Sequence, residues 1–236
     1  MSDVIDALIL CGGLGTRLQE AVPDRPKGLA EVAGRPFLDI LVAELQRQGL
    51  RRFVLCAGHR AEQIAALYRG RQDAEFVLSA EPSPLGTGGA VRHALAHART
   101  DPFLVLNGDS HCEVDYAALR AFHARAGADL TVVVAPDPER GDAGRVALAG
   151  DGRVLSFDEK TATAHAYVNA GIYVMQRRAA ERLPAGVAAS LERELIPALV
   201  REERCFGFPV PGPLTDIGTP ERYRAAQQAL RDAAKR

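Results

Sequence analysis

Up to Ala135 the chain alternates short apolar runs with segments whose apolar positions recur at helical spacing. The runs are Ala7–Leu10, Phe53–Ala57, Phe76–Leu78, Phe103–Leu106 and Leu130–Ala135. The helical segments are Pro36–Gly49, Ala61–Gly70, Thr87–Ala98 and Asp115–Ala126. In the first of these, Phe37, Ile40, Leu41, Leu45 and Leu50 fall at helical intervals, and Gly49 supplies a C-terminal stop. Strands buried on one side only would alternate apolar with polar; these are apolar almost throughout. They therefore belong in a sheet covered by helices on both faces. The pattern predicts an α/β fold: a doubly wound, mostly parallel sheet flanked by helices, with ligands at the carboxyl ends of its strands.

After Ala135 the rhythm changes. "RVALAGDGRVLSFDEK" reads as two short strands around Asp151-Gly152, a hairpin signal. "YVNAGIYVM" and "CFGFPV" read as strands and "LERELIPALV" as an amphipathic helix. "TPERYRAAQQALRDAAKR" reads as a helix with Thr219 as N-cap and Pro220 at its first position. No internal repeat or low-complexity linker divides the chain, so the expectation is a single domain over 1–236 with a small mixed β subregion.

Charge and composition exclude several classes. A formal net charge of -1 over 236 residues gives no bulk attraction to nucleic acid. No apolar stretch approaches the roughly 20 residues of a membrane span, and Asp3 and Asp6 stand where a signal peptide carries positive charge. The expectation is a cytoplasmic protein that binds neither nucleic acid nor membrane. None of the 4 cysteines forms a CxxC pair, so they are read as small core hydrophobes. The oligomeric state is left open, a homodimer included.

The densest local signal is "ALILCGGLGTRL", Ala7 to Leu18. From Gly13 the dinucleotide fingerprint would need a third glycine where Leu18 stands, and the P-loop's Gly-Lys-Ser/Thr ending is absent. What remains is a nest of backbone amides beside Arg17, which suits a triphosphate. Lys27, behind Pro26 in "DRPKGLAEV", is a candidate second phosphate cation.

"LILCGGLGTRL…RPKGLAEVAGRPFLDIL" resembles the opening signature of the sugar-phosphate nucleotidyltransferases, which join a nucleoside triphosphate to a sugar 1-phosphate. "PLGTGGA", "LNGDS", "GRV…FDEK", "VNAGIYV" and "DIGTPERY" match the same family in order along essentially the whole chain. The resemblance implies a Rossmann-like fold of the nucleotide-diphospho-sugar transferase type. Residues 1–135 then form the nucleotide-binding half, and 136–236 the sugar-binding and C-terminal part. It also implies attack by a sugar 1-phosphate oxygen on the α-phosphorus, with pyrophosphate leaving.

Carried onto this chain, the resemblance makes Arg17, Lys27 and Asp109 catalytic and gives Mg²⁺ to Asp109 and Asp216. Leu10, Gly12, Gly13, Gly15, Thr16, Glu81, Gly86, Thr87 and Asn107 would hold the nucleotide, and Gly144, Glu159, Lys160 and Asn169 the sugar phosphate. Gly86, Gly88 and Gly89 would let the backbone approach the base, and Thr87 would cap the following helix. Glu81 leans the nucleotide towards GTP, because guanine's N1–H and N2 amino group present two donors to a carboxylate's two acceptors. A non-catalytic nucleotide-binding subunit would have lost phosphate and metal residues; Arg17, Lys27, Asp109 and Asp216 are all present.

Overall fold

The computed structural model describes residues 5–13, 15, 17–18, 22–136, 144–158 and 167–233. The first half runs β1 (Ala7–Leu10), β2 (Glu31–Val32), β3 (Arg35–Pro36), α1 (Phe37–Arg47), β4 (Arg52–Ala57), α2 (Ala61–Tyr68), β5 (Glu75–Ala80), α3 (Gly86–Ala94), β6 (Phe103–Asn107), β7 (Ser110–His111), α4 (Tyr116–Ala126) and β8 (Leu130–Pro136). The second runs β9 (Arg145–Leu148), β10 (Val154–Asp158), β11 (Tyr167–Met175), α5 (Arg177–Ala180), α6 (Ile196–Arg201), β12 (Cys205–Pro209), β13 (Thr215–Asp216) and α7 (Pro220–Ala233).

One nine-stranded sheet runs through both halves in the order β10-β9-β11-β6-β1-β4-β5, with β8 pairing both β11 and β12. β6, β1, β4 and β5 are parallel, while β11 runs antiparallel to β6, β8 and β9. Successive residues of a strand face opposite sides, and the packing follows. Ile9, Phe53 and Leu55 meet Leu38, Val42, Leu45, Ile64 and Leu119 on one face. Leu8, Val54 and Cys56 meet Val91, Ala94, Leu191 and Leu199 on the other. Each such side chain contributes roughly 1.5–3 kcal/mol when fully buried, and burial on both faces explains strands without polar alternation. A third cluster of Leu18, Ala30, Val32, Phe37, Leu41, Ile217 and Ala226 packs α7 and the approach to it against the segment after the glycine loop.

The expected strands, the hairpin and the C-terminal cap are present: β9 and β10 pair antiparallel across Asp151-Gly152, and Arg222 N–H donates to Thr219 Oγ1 at 3.3 Å. Two local expectations are corrected. "LERELIPALV" begins not as α-helix but as a π-turn over Leu191–Leu195, with Ile196 N–H donating to Leu191 O, before α6. Pro197 has no N–H to give the carbonyl four residues back, so a regular α-helix through this segment would lack that bond. Thr87 is not a cap: it is the second residue of α3, and no side chain caps that helix.

His123 is buried between α4 and the sheet, with Nδ1 at 2.9 Å from Thr131 Oγ1 and Nε2 at 3.2 Å from the Gln176 amide nitrogen. Neutral imidazole satisfies both contacts, Nδ1–H donating and Nε2 accepting; a proton on Nε2 would face another donor. Burial is the main cause that pushes its pKa down to about 4. Below the unfolded value of about 6.5 the unfolded chain therefore takes a proton that the folded one refuses until about pH 4, and stability falls as pH drops through that window. Urea denaturation at about pH 7 and pH 4.5 is expected to show this loss, on the order of 3 kcal/mol, and His123→Gln is expected to flatten it.

Candidate active site

The site begins where β1 and β6 end side by side. Gly108 N–H donates to Leu10 O at 2.8 Å, and Cys11 N–H to Cys56 O at 2.9 Å. A Cβ on Gly108 would stand 2.9 Å from Leu10 O, so the chain leaving β6 is pressed against the chain leaving β1. Beyond these ends opens a cavity of about 730 Å³, within the usual range for a ligand site. It brings together Leu10, Gly12, Gly13, Gly15, Lys27, Glu81, Gly86, Thr87, Asn107 and Asp109 of the sequence-predicted residues. Arg17 is exposed and does not line it. Thr16, Glu159 and Lys160 lie outside the described residues.

Lys27 opens a short 3-10 turn behind Pro26, and a Cβ on Gly15 would sit 3.1 Å from its Cβ. Its Nζ reaches Asp109 Oδ2 at 2.5 Å, and Ser110 Oγ donates to Asp109 Oδ1 at 3.0 Å. Burial pushes the Asp109 carboxyl up, but the Lys27 ammonium and these hydrogen bonds outweigh it and hold the pKa below the ordinary carboxylate range. Asp216 arrives from the C-terminal part: β13 pairs antiparallel with β7, placing Asp216 opposite Ser110, and Ile217 N–H donates to Asp109 O at 3.0 Å. Asp216 Oδ1 accepts from Gly218 N–H at 2.7 Å, and Arg222 Nη1 stands 3.6 Å from Oδ2. A Cβ on Gly218 would lie 2.7 Å from Asp216 Oδ1 and 3.4 Å from Lys27 Nζ. The two carboxylates and two cations thus gather in one small space.

These donors fit a hard cation. Asp109 and Asp216 offer oxygen only, as magnesium prefers, with one or two carboxylates complementing phosphate oxygens and water. Among the described residues no group of three or more His, Cys, Asp or Glu gathers as a richer metal cage would require. Beside Asp109, the buried Asn107 Oδ1 has no hydrogen-bond partner, an acceptor that would gain from a ligand or its water.

Glu81, against the glycine loop at Gly12, accepts from Leu85 N–H at 2.9 Å through Oε2. Only Oε1 is without a backbone donor, where the sequence reading gave both oxygens to the base; a Cβ on Gly12 would come within 2.7 Å of it. The α3 glycines are also required by the protein's own packing. A Cβ on Gly86 would meet Ala189 O at 2.6 Å and one on Gly89 would meet Val187 O at 2.7 Å. They admit the protein's own 187–189 backbone.

Of the residues expected to face the sugar, Gly144 and Asn169 lie outside the cavity lining; Gly144 O accepts from Asn169 N–H at 2.8 Å, and Phe157 closes over Gly144, where a Cβ would stand 2.9 Å from its ring. Asn169 lies where the pairing of β11 with β8 shifts register, an irregularity of a kind frequent beside active sites. Two residues on, Gly171 adopts φ +71, and a Cβ there would strike Asn107 Nδ2 at 2.5 Å. The bulge therefore abuts the residue that ends β6 in the cavity.

Sequence reasoning missed Glu192. Its carboxylate accepts from the hydroxyls of Thr87 at 2.7 Å, Ser190 at 2.9 Å and Tyr173 at 3.4 Å. The Thr87 contact joins positions 105 residues apart and leaves no local periodicity to read. Arg222, one turn into α7, was read only as part of a capped helix.

Fold and site together define a nucleotidyl-transferring enzyme class. The chain matches the Nucleotidyl transferase family over residues 6–233, and it belongs to that family. It is 31% identical over 227 residues to the D-glycero-alpha-D-manno-heptose 1-phosphate guanylyltransferase of Aneurinibacillus thermoaerophilus, covering 96% of this chain and 98% of the relative. It is 33% identical to the mannose-1-phosphate guanylyltransferase of Mycobacterium tuberculosis, matching 93% of this chain and only 62% of that relative's length. Among solved structures, HddC from Yersinia pseudotuberculosis complexed with GMP-PN superposes with a TM-score of 0.83 at 29% identity, covering 96% of this chain and 99% of that one. A sucrose-bound Bacillus anthracis structure reaches 0.86 at 18% identity, covering 97% and 96%, and shares the fold.

Gly171→Ala tests the contact between β11 and β6. With its positive φ and the clash on Asn107, it is expected to cost about 2 kcal/mol in chemical denaturation.

Proposed function

We propose that this enzyme transfers GMP from GTP to a sugar 1-phosphate, giving a GDP-sugar and pyrophosphate. The observation that carries the proposal is the gathering of Lys27, Asp109 and Asp216 at the end of β6, where Lys27 and Asp109 line one cavity with the glycine loop and Glu81. Residues up to 135 serve the nucleotide and those from 136 onward form the sugar-binding and C-terminal part, with the metal held by one carboxylate from each. A sugar-phosphate oxygen attacks the α-phosphorus in line while the bond to the bridging oxygen of pyrophosphate breaks, and that oxygen leaves with the electron pair. Positioning and charge neutralisation supply most of the rate in such a reaction. Lys27 neutralises triphosphate oxygens, with Arg17 a second cation at the loop's end. The amides of Gly12, Gly13 and Gly15 donate to the same oxygens. Asp109 and Asp216 hold Mg²⁺, which when bound offsets the charge of the triphosphate. Glu81 Oε1 accepts from a guanine donor. Gly144, Glu159, Lys160 and Asn169 receive the sugar phosphate.

The sugar we favour is D-glycero-α-D-manno-heptose, for a GDP-heptose used in bacterial surface polysaccharides. The support is the relative that matches end to end, whereas the mannose-specific relative is matched over only part of its length. The 4 free cysteines suit a reducing cytoplasm. No helix of the described residues is long and apolar enough to cross a membrane.

Pyrophosphate release across GTP, UTP, dTTP and ATP with a panel of sugar 1-phosphates tests the reading. GTP with the heptose is expected to give the highest kcat/KM; mannose 1-phosphate in its place would move the sugar assignment, and UTP ahead of GTP would overturn the role of Glu81. Asp109→Asn and Asp216→Asn are each expected to lower kcat by about a hundredfold or more with a cooperative thermal transition retained. Full activity in either would remove that carboxylate from the metal site. Glu81→Gln is expected to lower kcat/KM for GTP by about tenfold and to narrow its lead over UTP.

A further inference from the structure

Glu192 lies outside the cavity, yet its carboxylate sits between the two halves. Its Oε2 takes the Thr87 hydroxyl at 2.7 Å, on the helix that walls the nucleotide side, and the Ser190 hydroxyl at 2.9 Å. Its Oε1 takes the hydroxyl of the fully buried Tyr173 at 3.4 Å. That hydroxyl in turn accepts from Asn169 Nδ2 at 2.7 Å, and Asn169 Oδ1 accepts from Gly171 N–H at 2.9 Å.

The direction of every bond is set. Thr87 Oγ1 already accepts from Leu191 N–H at 2.9 Å, and the Tyr173 oxygen accepts from Asn169. Each hydroxyl therefore has its proton for Glu192, and a carboxylate, which only accepts, is the group that satisfies all of them. An amide would turn a donor towards one of these donors. The π-turn over Leu191–Leu195 that carries Glu192 starts at Ser190, whose Oγ accepts from Arg193 N–H at 3.2 Å. π-Turns inside helices recur at functional positions.

We propose that Glu192 is a positioning residue that fixes the Thr87 wall of the nucleotide site and the Asn169 position of the sugar strand in one geometry. This rests on the proposed guanylyl transfer, which makes Thr87 a nucleotide contact and Asn169 a sugar contact. Thr87 and Tyr173 each serve one substrate; Glu192 serves both.

The experiment compares the wild-type chain with Glu192→Gln, Thr87→Val, Tyr173→Phe and Glu194→Gln, the last an exposed control on the same turn whose Oε1 accepts from Ser190 N–H at 2.8 Å, a bond that the amide oxygen keeps. Steady-state kinetics and thermal unfolding are measured on each. Glu192→Gln is expected to lower kcat and to raise KM for both GTP and the sugar 1-phosphate, with kcat/KM falling at least about tenfold. Thr87→Val should act mainly on the GTP term, Tyr173→Phe mainly on the sugar term, and Glu194→Gln on neither. A Glu192→Gln enzyme with a lowered Tm but kinetic constants within twofold of wild type would overturn the proposal, as would an effect confined to one substrate. Calorimetric binding of α,β-methylene-GTP, with and without the sugar 1-phosphate, separates the two readings. A folded wild-type chain that binds neither ligand overturns the guanylyl transfer and this proposal with it. A wild-type chain that binds both, matched by Glu192→Gln, overturns this proposal alone.

Discussion

The ion pair between Lys27 and Asp109 joins positions 82 residues apart, and the geometry of the site is organised around it. The lysine stem lies against the glycine loop at Gly15. The aspartate stands just past β6, and its backbone carbonyl holds Ile217 and with it the C-terminal strand that brings Asp216. Three distant parts of the chain are thereby aligned by one contact. Its charges also matter before any ligand arrives: Lys27 and Arg222 already face Asp109 and Asp216. An uncompensated carboxylate pair at this depth would repel itself and raise a pKa; with cations in place, Asp109 is held below the ordinary range.

The sheet explains why the site stands where it does. Parallel β1, β4 and β6 present their carboxyl ends to one side, and the loops leaving them form the cavity. β11 then pairs antiparallel with β6 and brings the second half of the chain alongside. The two halves of the chain are two stretches of one hydrogen-bonded ladder.

How much of this the sequence displays depends on whether a feature is local. Buried strands, helix periodicity, the Asp151-Gly152 hairpin and the Thr219-Pro220 cap are encoded within a few residues and appear as read. Lys27, Asp109, Glu81 and the glycine loop reach one cavity because each follows a strand end or a turn that its neighbours mark. Features that depend on distant segments were misread or missed. Nothing near Gly86 and Gly89 in the sequence shows that the atoms closest to them belong to Ala189 and Val187. Thr87 was taken for a cap because Ser and Thr before a helix usually cap it, but its hydroxyl is claimed by Glu192 and Leu191. Glu192 itself looked like one polar position of an amphipathic helix.

The pairing of β6 with β11 has a consequence of scale. Neighbouring strands stand about 4.8 Å apart, and Asn107 and the Asn169–Gly171 bulge sit across that gap. The distance between Asn107 and the Asn169–Gly171 bulge is therefore a ruler with a single graduation. It is set by backbone hydrogen bonds that side-chain substitution leaves in place. Residues on either side of the gap can change in size and polarity while the spacing between the two strands stays the same length.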